Sequence, residues 1–241
     1  MRGIILSGGS GTRLRPLTKI TSKQLLPIYN RPMIYYPLNT LIQAGIKEIL
    51  IIISPERAGD YLNLLGSGRE FGVKFTYEIQ DKPEGLAQAF IIGEKFINNE
   101  DVAMILGDNI FEDDFSQEIT NFKGGAKVFA KKVSDPERFG VVKFNEEMKA
   151  EKIVEKPQEH LSDYAVTGLY VYDHNVVDIA KNLKPSERGE LEITDVNNWY
   201  LQKGQLDVAM VNGEWLDAGT FESLLKAQMF AKEKLDAKMV I

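Results

Sequence analysis

The sequence contains no cysteine among its 241 residues. Disulfide bonds and thiolate-ligated metal centres are therefore excluded. Histidine is also scarce: only His160 and His174 are present, and both stand among polar residues, so we expect them at the surface rather than in a zinc site. No Ser/His/Asp or Cys/His constellation is apparent, which argues against catalysis by a nucleophilic triad.

Long hydrophobic runs and an excess of positive charge are missing too. No apolar stretch approaches the roughly 20 residues that a membrane-spanning helix needs, and the apolar start is too short for a secretory signal. The net charge of −6 does not suit a nucleic-acid-binding protein, whose footprint would be basic. We therefore expect a cytoplasmic protein with no membrane and no nucleic-acid partner.

Apolar runs alternate with helical patterns in the first half of the chain. This alternation predicts βαβ units and a three-layer, Rossmann-like α/β fold with a largely parallel sheet. Ligands of such sheets bind beyond the carboxyl ends of the strands, so residues 8–13, Gln80 and Asp108 should meet at one edge. The predicted strands span residues 3–6, 49–53, 73–79 and 102–106, and the predicted helices span residues 33–44, 58–65 and 86–96.

The pattern changes after Asp108, where short strands follow one another without helices of usual length between them. We expect a mixed or antiparallel extension that forms the other wall of a cleft, within one domain over residues 1–241 whose halves are 1–108 and 109–241. Thr220 is a plausible N-cap of the last helix. The predicted strands here span 127–133, 140–144, 149–154, 166–172 and 206–211, and the helices span 176–183, 193–203 and 221–235.

A glycine-rich loop at residues 8–13 follows the first strand and ends in Arg13, with Lys23 ten residues later. Glycines let a backbone approach a ligand closely and present consecutive N–H groups to an anion. The Gly-Lys pair of a Walker A loop is absent, and the third glycine of a dinucleotide fingerprint would fall on Leu14. Together with Arg15 and Lys19, these cations form a local basic cluster on an acidic protein, which suits a small polyanion.

Two aspartates are candidate metal ligands. Asp108 follows a predicted buried strand, and Asp217 lies in the segment Trp215-Leu216-Asp217-Ala218-Gly219-Thr220. Magnesium takes one or two protein carboxylates and completes its shell with water and phosphates, which fits a pair beside a phosphate loop. Taken alone, either aspartate is equally explained as a turn or capping residue.

Two further charged positions stay open on the residues alone. Val154-Glu155-Lys156-Pro157 ends a predicted strand, where Lys156 could bind a substrate phosphate and Glu155 sugar hydroxyls. An exposed ion pair explains Glu155 and Lys156 better when they are considered by themselves. Arg188 is similarly undecided.

These motifs resemble those of the sugar-1-phosphate nucleotidylyltransferases, over nearly the whole chain. Gly-x-Gly-Thr-Arg-Leu-x-Pro-x-Thr followed by Lys-Gln-Leu-Leu-Pro is similar to the signature of that family, and the closest similarity is to its glucose-1-phosphate thymidylyltransferase branch. The similarity continues through Gln80, Pro83-Glu84-Gly85-Leu86, Gly107-Asp108-Asn109, Arg138-Phe139-Gly140-Val141, Glu155-Lys156-Pro157, Thr167-Gly168-Leu169-Tyr170, Arg188-Gly189-Glu190-Leu191-Glu192-Ile193-Thr194-Asp195 and Trp215-x-Asp217-x-Gly219-Thr220.

The resemblance implies a role for each of these positions. Arg13, Lys23 and Lys156 would be the catalytic residues, and Asp108 and Asp217 would ligate Mg²⁺. Gln80 and the backbone of Gly85 would read thymine, with Gln24 near the nucleoside. The residues of the implied nucleotide site are Leu6, Gly8, Gly9, Gly11, Thr12, Arg13, Lys23, Gln24, Gln80, Gly85 and Asp108. The implied sugar-phosphate site lies in an antiparallel sugar-binding subdomain. Its residues are Asn109, Gly140, Glu155, Lys156, Val166, Tyr170 and Arg188.

The implied reaction is the transfer of a thymidylyl group from dTTP to glucose 1-phosphate, the first step toward deoxysugars of the dTDP-rhamnose type. An alternative is a UTP- or CTP-dependent enzyme or one that uses another hexose 1-phosphate; Gln24 after Lys23 favours dTTP. A non-catalytic nucleotide-sugar-binding subunit is a second alternative, which the presence of both cations and both aspartates disfavours. We expect a homo-oligomer, a dimer or a tetramer. Longer family members carry a C-terminal extension that helps to form an effector site, so the resemblance leaves open whether a chain ending at Ile241 has feedback control of that type.

Overall fold

A computed structural model describes residues 1–9, 11–235 and 239. Its strands are β1 Arg2–Ser7, β2 Pro27–Ile28, β3 Arg31–Pro32, β4 Glu48–Ile53, β5 Lys74–Ile79, β6 Val102–Leu106, β7 Asn109–Phe111, β8 Ala126–Lys132, β9 Gly140–Phe144, β10 Ala150–Glu155, β11 Tyr164–Tyr172, β12 Leu206–Met210 and β13 Trp215–Asp217. Its α-helices are α1 Tyr35–Gln43, α2 Ala58–Leu65, α3 Gln88–Ile92, α4 Glu94–Ile97, α5 Ser116–Thr120, α6 Val176–Lys181, α7 Ile193–Gln202 and α8 Phe221–Phe230.

The predicted parallel sheet is present. Strand β1 lies between β4 and β6 and is parallel to both, and β5 extends the sheet beyond β4. The side chains of these strands alternate between two hydrophobic clusters, with Ile4 on one face of the sheet and Ile5 on the other. Because both faces are covered, the strands read as unbroken apolar runs.

The predicted antiparallel extension is confirmed. Strand β11 runs antiparallel to β6, β8 and β9, and β10 pairs with β9 in a second antiparallel ladder. Strand β12 is parallel to β8 at the far edge. The β11–β8 register shifts between Val166 and Tyr170, and this irregularity lies beside the carboxyl end of β6.

One predicted helix is wrong in its continuity. Residues 86–96 do not form a single helix, because α3 and α4 are separate and join at Gly93. A Cβ at Gly93 would lie 3.1 Å from Leu50 Cδ2 and 3.2 Å from Ile4 Cδ1, so this backbone packs directly on the sheet. The helix is therefore interrupted at Gly93, where its backbone packs closely against the sheet.

The C-terminal region follows the prediction in part. Thr220 caps α8, since its hydroxyl oxygen accepts a hydrogen bond from the Ser223 N–H at 3.2 Å. The helix is α-helical only to Phe230, and Ala231–Leu235 continues as a π-helical turn. Apolar residues near the C-terminus could finish the core or cover a neighbouring chain. Phe230 and Met239 pack against the core and Met229 is exposed, while Val240 and Ile241 lie outside the described residues.

A short ladder that the sequence patterns did not predict organises the edge of the sheet. Strands β7 and β13 pair antiparallel, with Asp217 opposite Asn109. Ala218 N–H also donates to the Asp108 carbonyl oxygen at 3.0 Å. Residues more than a hundred positions apart are thereby fixed side by side. Within the described ranges, no helix has the length and apolar character to cross a bilayer.

Candidate active site

A cavity of about 700 Å³ opens at the carboxyl ends of β1 and β6, between the parallel and antiparallel parts of the sheet. The structure brings most of the predicted residues together in its wall. Gly11 and Thr12 belong to the glycine-rich loop but do not line the cavity. The predicted residues that do line it are Leu6, Gly8, Gly9, Arg13, Lys23, Gln24, Gln80, Gly85, Asp108, Asn109, Gly140, Glu155, Lys156, Val166, Tyr170, Arg188 and Asp217.

The glycine-rich loop depends on conformations that favour glycine. Gly9 has φ of 103° and Gly11 has φ of 56°, both in the left-handed region. The Thr18 hydroxyl donates to the Gly11 carbonyl oxygen at 2.8 Å, which fastens the loop to the turn that follows it. Leu14 is fully buried and anchors the residue next to Arg13. The loop is therefore fixed on both sides of Arg13, at Gly11 and at Leu14.

Asp108 is the centre of a buried charged cluster. The Lys23 ammonium donates to its Oδ2, and the Asn109 amide donates to its Oδ1 at 3.2 Å. Burial alone would raise the pKa of Asp108, but the charge of Lys23 and these hydrogen bonds outweigh burial and lower it. Asp108 is thus held as a carboxylate.

Asp217 lies beside Asp108 in the opposite electrostatic situation. Burial, followed by the negative charge of Asp108, raises the pKa of Asp217 to about 6, although Lys23 and Arg13 oppose the shift. Its Oδ1 is buried without a hydrogen-bond partner in the described part of the chain. Gly219 keeps the neighbourhood open, because a Cβ there would lie 3.0 Å from Asp217 Oδ1 and 3.1 Å from Arg13 Nη2.

The Asp108–Asp217 pair fits a divalent metal ion. A buried carboxylate oxygen without a partner is the atom that a cation would satisfy, and oxygen donors suit hard cations. No group of three or more His, Cys, Asp and Glu side chains in the described ranges could hold a metal. Two carboxylates match the habit of Mg²⁺, which draws its remaining ligands from water and phosphate.

Gln24 and Gln80 are held differently in the wall near the loop. Gln24 Oε1 accepts hydrogen bonds from the Ser22 hydroxyl at 2.9 Å and the Tyr61 hydroxyl at 3.1 Å. Burial raises the pKa of Tyr61 to about 12, so it remains a neutral donor. Gln80 packs tightly on the loop, since a Cβ at Gly8 would lie 1.8 Å from Gln80 Oε1.

Gly85 has φ of 106° and lies against the segment that precedes α7. A Cβ at Gly85 would lie 2.3 Å from the Leu191 carbonyl oxygen. Leu191 N–H donates to the Glu84 carbonyl oxygen at 2.7 Å, so the two segments lie side by side in the cavity wall. Only glycine fits this approach.

Glu155 and Arg188 join two elements on the far side of the cavity. The Thr194 hydroxyl donates to Glu155 Oε2 at 2.6 Å, which joins the end of β10 to the start of α7. Arg188 Nη2 lies 2.8 Å from Glu192 Oε2, 3.3 Å from Glu190 Oε2 and 3.4 Å from Glu155 Oε1. Burial would lower the pKa of Arg188, but the bonds to Glu192 and the surrounding carboxylates raise it.

Lys156 is half exposed, and its ammonium lies 4.0 Å from Glu155 Oε1. Its φ of 42° places a non-glycine residue in the left-handed region, and its N–H donates to the Phe139 carbonyl oxygen at 2.9 Å. Strained backbone of this kind persists only where surrounding contacts enforce it.

Asn109 connects the Asp108–Asp217 pair to the antiparallel part of the sheet. Its Oδ1 accepts from the Trp215 indole at 2.6 Å and from the Gly168 N–H at 3.0 Å, while its amide nitrogen donates to Asp108. All of these bonds are internal to the protein. The side chain thus positions Asp108, and contact with a sugar stays a prediction.

Several cavity residues were not predicted as site residues. Gly168, Thr194 and Trp215 lie in motifs that carried the resemblance, so a signal for them existed in the sequence. Asn197 also lines the cavity, and its amide nitrogen is buried without a partner in the described part of the chain. Nothing in its local sequence distinguishes Asn197 from other helical asparagines.

The basic cluster is divided between two cavities. Arg13 and Lys23 line the main cavity, whereas Arg15 and Lys19 line a neighbouring cavity of about 520 Å³ that also contains Arg57. The two cavities share part of their walls, at Gly9, Lys23, Gln80 and Pro83. His160 and His174, as predicted, are exposed and lie outside both.

Comparison with known proteins gives consistent matches over nearly the whole chain. A sequence model of the nucleotidyl transferase family matches residues 2–234. The glucose-1-phosphate thymidylyltransferase of Neisseria meningitidis is 55% identical over 238 residues, which are 96% of this chain and 83% of the relative. That of Mycolicibacterium smegmatis is 52% identical over 237 residues, with 96% and 82% covered.

Solved structures agree with the sequence comparisons. A Bacillus anthracis protein described as a glucose-1-phosphate thymidylyltransferase, crystallised with sucrose, is 52% identical and superimposes with a TM-score of 0.92 over 97% of this chain and 96% of that one. A UDP-glucose pyrophosphorylase bound to UDP-glucose is 26% identical, with a TM-score of 0.84 over 97% and 98%. With a family model matched over most of its length and relatives above 50% identity, this chain belongs to the nucleotidyl transferase family.

Proposed function

We propose that this chain is a glucose-1-phosphate thymidylyltransferase, which converts dTTP and α-D-glucose 1-phosphate into dTDP-glucose and pyrophosphate. The relatives that are about half identical to it carry that name. One observation carries the proposal: Arg13, Lys23, Asp108, Asp217 and Lys156, drawn from both halves of the chain, line a single cavity.

The chemistry requires two anions to approach each other. A phosphate oxygen of glucose 1-phosphate attacks the α-phosphorus of dTTP in line; an O–P bond forms to the sugar phosphate, and the bond to the β-phosphate oxygen breaks as pyrophosphate leaves. A phosphate monoester is largely ionised near pH 7, since its second pKa is roughly 6, so no general base is needed. Positioning and charge stabilisation are the tasks of the protein.

The residues divide these tasks by position. Lys156, at the end of β10, orients the attacking phosphate. Arg13 and Lys23, on the loop side, stabilise charge on the α-phosphate and the departing pyrophosphate. Lys23 is already held in place by its contact with Asp108.

Members of the nucleotidyltransferase family generally use a divalent metal ion, and we propose Mg²⁺ here. Asp108 and Asp217 would hold it. When bound, it supplies positive charge that stabilises the pentacovalent phosphorus and the leaving group. The oxygen of Asp217 that has no partner supports this assignment.

The base and the sugar are assigned to opposite ends of the cavity. Gln80 and the Gly85 backbone would read the thymine edge, next to the glycine-rich loop. The sugar would lie toward Glu155, Gly140 and Tyr170; a Cβ at Gly140 would lie 3.0 Å from Thr194 Oγ1 and 3.3 Å from Glu155 Oε2, so glycine leaves room at this wall. The division of residues 1–241 into a nucleotide half (1–108) and a sugar-phosphate half (109–241) follows the same assignment.

Pyrophosphate release from a nucleotide panel tests the proposal. With glucose 1-phosphate and Mg²⁺, dTTP should be the preferred substrate among dTTP, UTP and CTP. A strong preference for UTP would overturn the choice of nucleotide, and absence of release with every nucleotide would overturn the enzymatic assignment. We also propose that the enzyme acts in the cytoplasm and is a homo-oligomer, a dimer or a tetramer, whose mass can be measured by light scattering.

A further inference from the structure

Three side chains, beginning with Gln80, form a hydrogen-bonded relay. Gln80 Nε2 donates to Gln88 Oε1 at 2.7 Å. Gln88 Nε2 donates to Glu84 Oε2 at 2.8 Å, and Gln88 Oε1 also accepts from the Glu84 backbone N–H at 3.1 Å. Gln88 begins α3 and does not line the cavity, so it has no direct part in the site described above.

The end of this relay has only one possible polarity. An amide can turn by 180° about its last torsion and exchange its oxygen for its nitrogen at nearly the same positions. Gln88 cannot turn without losing both of its hydrogen bonds to Glu84, because the Glu84 N–H can only donate and the Glu84 carboxylate accepts. Gln88 Oε1 must therefore face the Glu84 N–H and Gln80.

Gln88 in turn fixes the amide of Gln80. With an acceptor beside it, the end of Gln80 that faces Gln88 must be the nitrogen, so Oε1 points the other way. There it packs over the glycine-rich loop, 1.8 Å from where a Cβ of Gly8 would be. The Gln80 backbone is fixed as well, since its N–H donates to the Ile53 carbonyl oxygen at 2.8 Å.

Pyrimidine bases differ at the edge that such an amide reads. Thymine and uracil present a donor, N3–H, between two carbonyl acceptors, whereas cytosine presents an N3 acceptor beside an amino donor. An amide held with its oxygen toward the base accepts from N3–H. A turned amide would instead present its N–H to the base and donate to N3 of cytosine.

We propose that Gln88 is a positioning residue that holds Gln80 in the orientation that accepts thymine or uracil, and thereby excludes cytosine nucleotides. This inference rests on the proposed function, and deepens it. A mismatched site leaves buried polar groups facing like groups, which discriminates more strongly than shape alone.

The test compares dTTP, dUTP and dCTP as substrates of the Gln88→Met variant, at saturating glucose 1-phosphate. The ratio of kcat/KM for dTTP to kcat/KM for dCTP should fall at least about tenfold, since the amide is then free to turn. The ratio for dTTP to dUTP should stay unchanged, because both bases present the same edge to Gln80. KM for glucose 1-phosphate should also stay unchanged.

A swapped double variant separates orientation from packing. In Glu84→Gln with Gln88→Glu, the new carboxylate at 88 still accepts from Gln80 Nε2 and from the backbone N–H of residue 84, and the new amide at 84 donates to it. This variant should retain the wild-type preference for dTTP over dCTP. Gln117→Met, a matched change of an exposed glutamine on α5 outside the cavity, should leave all ratios unaltered.

Two results would overturn the inference: a folded Gln88→Met enzyme with the wild-type dTTP to dCTP ratio, or a double variant that loses discrimination as fully as Gln88→Met does. Gln88→Ala replaces Gln88→Met if the latter does not fold, with the same expectation. Failure of the proposed function is recognised separately, because wild-type protein would then release no pyrophosphate with any of the three nucleotides.

Discussion

The strained backbone of Lys156 lies at a residue that is predicted to be catalytic. A left-handed φ costs a residue with a Cβ roughly 1–2 kcal/mol, and the N–H bond to Phe139 helps to hold Lys156 there. The other non-glycine residues with positive φ in the described ranges, Tyr29, Asn98, Asn99 and Met148, lie outside the main cavity. Strain and a predicted catalytic cation thus coincide at one position.

Replacing Lys156 by glycine should therefore separate stability from activity. Lys156→Gly relieves the strain but adds about 0.5–1 kcal/mol of unfolded-state entropy, so the free energy of unfolding should rise by up to about 1.5 kcal/mol. Turnover should fall about 100-fold or more through loss of the cation. Lys156→Ala is the control, since it loses the same charge and keeps the strain. Thermal unfolding and pyrophosphate release measure both effects; a glycine variant less stable than the alanine variant would contradict this account.

A substitution in the Asp108–Asp217 pair should also separate stability from activity, in this case through a change of charge. Asp217→Asn removes one of two buried like charges, so the metal-free protein should unfold at an equal or higher temperature. Its turnover should fall about 100-fold or more, because an amide holds a cation far less well than a carboxylate. Asp207→Asn, at an exposed partner of Lys127, should change neither quantity substantially. Wild-type turnover of Asp217→Asn would exclude Asp217 as a metal ligand.

At the scale of elements, the β7–β13 ladder and the irregular register of β11 place the functional side chains. Each strand of the ladder has only three residues, too few for a period-two pattern to stand out. Long apolar strands such as β4 could be predicted because burial on both faces constrains every residue. The pairing of Asp217 with Asn109 depends on tertiary contacts across a hundred residues, and local propensity carries no information about it.

Gly168 tests the importance of that arrangement. A Cβ there would lie 2.5 Å from Asn109 Oδ1, so Gly168→Ala must displace the amide that holds Asp108. We expect turnover to fall about tenfold or more and the free energy of unfolding to fall by about 1–3 kcal/mol. Gly59→Ala on α2 is the matched control, because its Cβ would meet nothing within 4 Å. That control should stabilise the protein by about 0.5–1 kcal/mol. Full activity in Gly168→Ala would contradict the positioning role of Asn109.

At the scale of the whole molecule, one cleft receives residues from a parallel and an antiparallel part of the same sheet. The sequence predicted both parts, and the rule for ligand sites in α/β sheets placed the glycine-rich loop, Gln80 and Asp108 at one edge of the parallel part. The residue pattern alone grouped Arg15 and Lys19 with Arg13 and Lys23 in one basic cluster, and only the family resemblance selected Arg13 and Lys23. The placing of Arg15 and Lys19 in a second cavity depends on how the loop turns. The internal bonds of Asn109 and the relay behind Gln80 were equally invisible, because side-chain hydrogen bonds have no sequence period.

Removal of divalent metal should abolish activity without unfolding the protein. Asp108 and Asp217 are held by strand pairing and by hydrogen bonds between protein groups, so we expect the fold not to depend on a metal. At a Mg²⁺ concentration equal to its Kd, binding adds only about 0.4 kcal/mol to stability, which shifts Tm by about 1–2 °C in a chain of this size. Treatment with EDTA should therefore stop pyrophosphate release while leaving the thermal unfolding curve almost unchanged, and added Mg²⁺ should restore turnover. Full turnover in EDTA would show that the carboxylate pair does not bind a catalytic metal ion. Cooperative unfolding on chelation would show instead that the metal is structural. A catalytic metal site built from two carboxylates on preformed elements is compatible with neither result.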